Sequence, residues 1–141
     1  MLSKEFFPKI YLYKRIVHAK LFVDAHFAEK LDLNNISDEA HFSKYHFIRL
    51  FTSVYKMTPH QYLVNVRISN ACRLLKTELT IAECCFAVGF ESVSSFSGLF
   101  KRTTGESPAA YKEIHRRRVR SINTAPLQYI PGCFAEKLGF N

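Results

Sequence analysis

The sequence predicts an all-α fold, and three observations carry that prediction. Apolar residues recur at steps of three and four, no segment shows the period-two alternation of a half-buried strand, and Ser/Thr helix-start signals return along the whole chain. At 141 residues there is room for one ordinary domain or two very small subdomains. A hydrophobic fraction of 48%, with 13 Phe, 7 Tyr and no Trp, suits a small core, because aromatic rings bury much area per residue.

From Lys9 to Glu29 the chain has no Gly or Pro, and Leu12, Ile16, Ala19, Val23 and Phe27 form one stripe of a long amphipathic helix. Asp32 is placed to cap a short helix from Leu33 to Ala40 that turns Ile36 inward. Ser43 caps the next, from Lys44 to about Val54, with Phe47, Leu50, Phe51 and Val54 as its inner face. Thr58-Pro59-His60-Gln61 combines a capping box with Pro at the first helical position, where its missing N–H costs nothing. The helix it opens carries Tyr62, Leu63, Val66, Ala71, Leu74 and Leu75 and ends near Thr77. Thr80-Ile81-Ala82-Glu83 is a second capping box, opening a helix to about Val88 that Gly89 breaks. Ser92 then caps a helix from Val93 to Thr103, and Ser107-Pro108 opens a last one running into the basic stretch His115–Arg120. From Ser121 the pattern fades, and residues 121–141 read either as a docked irregular arm or as a loose tail.

A short device occurs twice. FIRLFTSVYKMTPHQY (Phe47–Tyr62) and FSGLFKRTTGESPAAY (Phe96–Tyr111) both read F-x-x-L-F, then six residues, a Ser/Thr-Pro pair and x-x-Tyr, displaced by 49 residues. Each copy is a short helix, a tight turn and a second capped helix. The chain therefore divides into a first subdomain over 9–57, a linker helix over 58–78 and a second subdomain over 79–120, followed by the 121–141 segment.

The net charge of +8 points to an anionic partner, nucleic acid or an acidic membrane surface. Cys72, Cys84, Cys85 and Cys133 make no disulfide framework and no metal-ligand spacing, so they read as small hydrophobes of a reducing cytosol. No run approaches 18 apolar residues and the N-terminus lacks a signal-peptide stretch, so the expected location is cytoplasmic, without a membrane partner. Six scattered histidines come with no carboxylate pair, nucleophile motif or Gly-rich phosphate loop, so no catalytic residue, metal or cofactor is expected.

Two helices joined by a tight turn are a helix-turn-helix when the second enters the DNA major groove. On the Lys44 helix, the face opposite the Phe stripe is Tyr45, Ile48, Arg49 and Thr52, at i, i+3, i+4 and i+7. Arg bonds guanine bidentately, and Ile or Tyr packs on thymine methyls. Packing of Tyr45 and Ile48 against the N-terminal helix is the bland alternative. The equivalent face of the second copy is Ser94, Ser97, Gly98 and Lys101. Two reading helices must sit about 34 Å apart to enter successive grooves. A Pro59–Thr77 helix, roughly 28 Å long at 1.5 Å per residue, is a suitable spacer.

These residues resemble the DNA-binding domain of the AraC/XylS family of bacterial transcription regulators. The matching positions are Phe22-Val23 with His26-Phe27-Ala28-Glu29, Ser43 with His46-Phe47, Arg49-Leu50-Phe51, and Pro59-His60-Gln61-Tyr62. They continue through Arg67 with Ala71 and Leu74-Leu75, Ile81-Ala82-Glu83, Gly89-Phe90, Phe96, Phe100-Lys101, and Ser107-Pro108 with Tyr111. The match covers roughly residues 20–115. The resemblance implies two homeodomain-like helix-turn-helix subdomains joined by a rigid helix, reading an asymmetric site on double-stranded promoter DNA. A monomer on DNA and RNA polymerase as protein partner are the matching expectations.

Carried over by position, base contacts fall on Tyr45, Ile48 and Arg49, and on Val93, Ser94, Ser97 and Gly98. Phosphate contacts are expected from Lys44, Thr52, Arg67, Lys101 and Arg102, with Arg116–Arg118 as a further candidate cluster. Three positions depart from the family pattern. His41 and Lys56 stand where the family has Gly at turns, and Gly98 stands where a long polar or basic side chain is common. Members often carry a separate sensing or dimerising domain; this chain starts about twenty residues before the match, which resembles a stand-alone member or a fragment of a larger regulator. The competing reading is a basic all-α protein-interaction module, which would share caps and core without needing Arg49 and Tyr45 on an exposed face.

Overall fold

A computed structural model describes residues 6–39 and 43–125, and all regular structure among them is helical. In chain order the helices are α1 (Phe6–His26), α2 (Leu33–Glu39), α3 (Lys44–Tyr55), α4 (Pro59–Leu74), α5 (Ile81–Ala87), α6 (Val93–Thr104) and α7 (Pro108–Thr124).

Six of the seven starts are set by side chains that take up orphan amides of the first turn. Asp32 and Asn35 exchange backbone N–H bonds at 2.9 and 3.0 Å ahead of α2. Ser43, Ser92 and Ser107 accept from the third residue beyond them at 3.4, 3.2 and 3.1 Å. Thr58 with Gln61 and Thr80 with Glu83 form the reciprocal boxes their spacing predicts.

Helix ends differ from the sequence reading where the adjoining turn sets them. α1 stops at His26, not Glu29, because the chain turns there and the Glu29 amide donates to the His26 carbonyl at 3.0 Å. α4 stops at Leu74, not Thr77, because the Thr77 amide and hydroxyl both donate to the Leu74 carbonyl. The linker helix thus has 16 residues, about 24 Å at 1.5 Å per residue. α7 continues to Thr124, so the first residues of the fading segment are helical. Residues 126–141, Ala40 and the turn position His41 lie outside the described residues.

The chain builds two cores. Ile16, Ala19, Val23, Ile36, Phe47, Phe51 and Leu63 fill the first; Val64, Ile68, Ala71, Leu75, Cys84, Cys85, Val88, Phe90, Phe96 and Phe100 fill the second. α4 serves both, its first turns through Leu63 and the rest through Val64, Ile68 and Ala71, with the capping residue Leu75 just beyond it. The 49-residue repeat is visible in the rings. Phe47–Phe51 and Phe96–Phe100 are each 5.6 Å apart, and Tyr62 and Tyr111 meet Phe51 and Phe100 edge-on at 5.6 and 5.4 Å. Val54 is a correction: it is 37% exposed, and Tyr55 fills the inner face instead. The i, i+4, i+8 line from Phe47 through Phe51 ends on Tyr55, whose ring stacks 4.7 Å from Phe51.

The two units also close in the same way. α3 ends at Lys56 (φ 59°) and α6 at Gly105 (φ 87°), each left-handed, each amide donating four residues back, to Thr52 and Lys101. Lys56 is the non-glycine residue with positive φ among the described residues.

Candidate nucleic-acid interface

With Phe47 and Phe51 fully buried, the opposite side of α3 is turned to solvent. Tyr45 is 78% exposed, which excludes packing against α1. Lys44 and Arg49 are exposed beside it, and Ile48 and Thr52 are half-buried at the edge. The face is chemically mixed: a phenol, an apolar flank and a five-donor guanidinium within two turns.

On α6, Phe96 and Phe100 are buried in the same way. Val93, Ser94 and Gly98 are exposed and Ser97 is half-buried. A Cβ built on Gly98 would meet nothing within 4 Å, so no contact within the chain requires glycine there. Lys101 and Arg102 project from the last turns, and Arg102 Nε donates to the Gly98 carbonyl at 3.4 Å. Lys44, Arg49, Lys101 and Arg102 take part in none of the ion pairs among the described residues.

Two of the expected phosphate contacts are placed differently. The Thr52 hydroxyl donates to the Ile48 carbonyl at 2.7 Å, so its proton is already engaged within α3. Arg67 is half-buried and points between the subdomains: Nε donates to the Phe27 carbonyl at 2.7 Å and Nη2 to the Glu29 carbonyl at 2.9 Å. Its guanidinium lies 5.7 Å from the centre of the Phe90 ring. Burial lowers its pKa from the ordinary value, with Glu91 opposing. A signal for this was present in the sequence, since Arg67 stands four residues before Ala71 and seven before Leu74, on the inward stripe of α4.

Cys84 and Cys85 are buried and Cys72 half-buried, as small hydrophobes of the second core, and burial raises the Cys84 and Cys85 thiols. Cys133 lies outside the described residues. Arg117 pairs with Glu113 at 3.2 Å along α7. Among the described residues no group of three His, Cys, Asp or Glu could hold a metal, and no helix is long and apolar enough to cross a membrane.

Comparison with known proteins fits this geometry. A family model described as a helix-turn-helix domain matches residues 36–114. The bifunctional transcriptional activator and DNA repair enzyme AdaA of Bacillus subtilis is 32% identical over 96 residues, 67% of this chain and 46% of that protein. The MmsAB operon regulatory protein of Pseudomonas aeruginosa is 33% identical over 96 residues, 67% of this chain and 30% of that one. The chain thus spans less than half the length of these two relatives. Among solved structures, the DNA-binding domain of the global transcriptional factor AdpA, in complex with a target DNA, superposes with a TM-score of 0.71 at 32% identity, covering 73% of this chain and 94% of that one. The C-terminal domain of the response regulator AraT from Geobacillus stearothermophilus gives a TM-score of 0.68 at 26% identity, covering 71% and 84%. With both units, their caps and their paired exposed helices in place, the chain belongs to the AraC-type helix-turn-helix family of DNA-binding transcription regulators.

Proposed function

We propose that this chain binds an asymmetric promoter site as a monomer, with α3 and α6 entering successive major grooves of double-stranded DNA. The observation that carries this reading is the repeat: one Phe–Phe–Tyr core, built twice, leaves one helix face free in each unit. Base contacts fall to Tyr45, Ile48 and Arg49 on α3 and to Val93, Ser94, Ser97 and Gly98 on α6. Lys44, Lys101 and Arg102 reach phosphates. Arg67 and the Thr52 hydroxyl are withdrawn from that set, since the Thr52 proton and two of the Arg67 N–H groups are engaged within the protein and hold the guanidinium against the Phe27–Glu29 turn.

Function follows from position. Bound DNA places the chain at a promoter in the cytoplasm, where RNA polymerase is the protein partner. No catalytic role is assigned, although AdaA is named a repair enzyme as well as an activator.

Salt titration tests the reading. If about six phosphates are neutralised, log K for a duplex site should fall with log salt at a slope near −5. A flat response would favour the alternative, a basic protein-interaction module.

A further inference from the structure

Phe27 packs against both cores, and the turn just beyond it lies between them. Its carbonyls, at the electronegative end of α1, receive the two-pronged Arg67 donation from α4. From the other side Gly89 approaches so closely that a Cβ would lie 2.9 Å from both the Phe27 and Ala28 carbonyl oxygens. Its φ of +98° is itself a glycine conformation. Phe90, the next residue, offers its ring to Arg67, and Glu91 reaches Lys30 at 3.8 Å.

α4 is the covalent link between the units and contributes to both cores, through Leu63 to the first and through Val64, Ile68 and Ala71 to the second. The end of α1 supplies a second attachment. We infer that Phe27, Arg67 and Gly89 form a clasp that fixes the angle between the two helix-turn-helix units, and so sets the half-site spacing the protein accepts. This rests on the two-groove reading for its consequence on DNA. Arg67 is then a positioning residue that never touches the nucleic acid, and its worth lies in presenting α3 and α6 as one rigid pair, so that no ordering is needed on binding.

The test uses Arg67→Met, which keeps the stem and removes the donors, and Arg67→Lys, which keeps the charge but cannot fork to two carbonyls. Thermal melts establish that each variant is folded. Backbone ¹⁵N relaxation of the free protein should show one tumbling time for both units in the wild type and two different times in the variants. On DNA, inserting one base pair between half-sites should weaken wild-type binding at least tenfold and Arg67→Met less than threefold, mainly because the variant has already lost affinity at the native spacing. Gly89→Ala should act in the same direction as Arg67→Met. A single tumbling time in both Arg67 variants, with wild-type spacing discrimination, would overturn the clasp. Wild-type indifference to the inserted pair would instead overturn the two-groove reading, and relaxation alone then decides whether the clasp stands.

Discussion

The Tyr62 hydroxyl donates to Asp24 Oδ1 at 2.5 Å, across a separation of 38 residues, and ties the first turn of α4 to α1. Lys20 holds the other carboxylate oxygen at 2.7 Å, so Asp24 is shared between a phenol and an ammonium. Burial, reinforced by Asp24, pushes the Tyr62 hydroxyl up to about 12. The protonated phenol is therefore the form the fold prefers. Its contribution is fully present below the ordinary tyrosine value near 10 and is lost as pH rises through about 12.

Stability should accordingly fall between about pH 10 and pH 12, and Tyr62→Phe should flatten that fall while costing about 1–2 kcal/mol near neutrality. Urea melts of both proteins at about pH 8 and pH 11 check this. An equal alkaline loss in the two would show that Tyr62 does not carry the effect.

Phe47, Phe51, Phe96 and Phe100 are each fully buried and each anchors an exposed face through the opposite side of the same helix. Truncation to Ala should cost roughly 3–5 kcal/mol, from lost transfer energy plus the cavity left behind. In a domain of ordinary stability that is enough to unfold the unit concerned. Denaturant melts read it directly; a loss below about 1 kcal/mol at any of the four would mean that its helix is rotated in solution.

Lys56 and Gly105 occupy equivalent left-handed closings, yet one carries a Cβ and the other does not. Lys56→Gly should stabilise the first unit by about 1 kcal/mol, and Gly105→Ala should destabilise the second by a similar amount. Open space around Gly105 makes that second change a backbone effect alone. Unchanged melting midpoints in both variants would contradict the assignment of these turns.

How much of this was legible in the sequence depends on the range of each interaction. The caps at Asp32, Ser43, Thr58, Thr80, Ser92 and Ser107 were readable because donor and acceptor sit three residues apart. The exposed faces were readable because Phe47–Phe51 and Phe96–Phe100 fix them by helical period. Tyr55 displacing Val54, and Arg67 turning inward to carbonyls 38 and 40 residues away, depend on which surfaces meet in three dimensions. The charge of Arg67 suggested a phosphate contact, and only its place on the inward stripe of α4 argued otherwise.

The central claim is that the two units read DNA unequally. α3 offers Arg49 with five donors beside the exposed Tyr45 and the flank of Ile48, whereas α6 offers two short hydroxyls, on Ser94 and Ser97, and Gly98 with no side chain at all. The most direct measurement is a complete single-base-pair substitution scan of a natural site with the wild type, Arg49→Ala and Ser97→Ala. Discrimination should concentrate in the half-site facing α3, Arg49→Ala should relax it by roughly 1–3 kcal/mol at one or two base pairs, and Ser97→Ala should change little. Equal discrimination in both half-sites, or a larger effect from Ser97 than from Arg49, would contradict it.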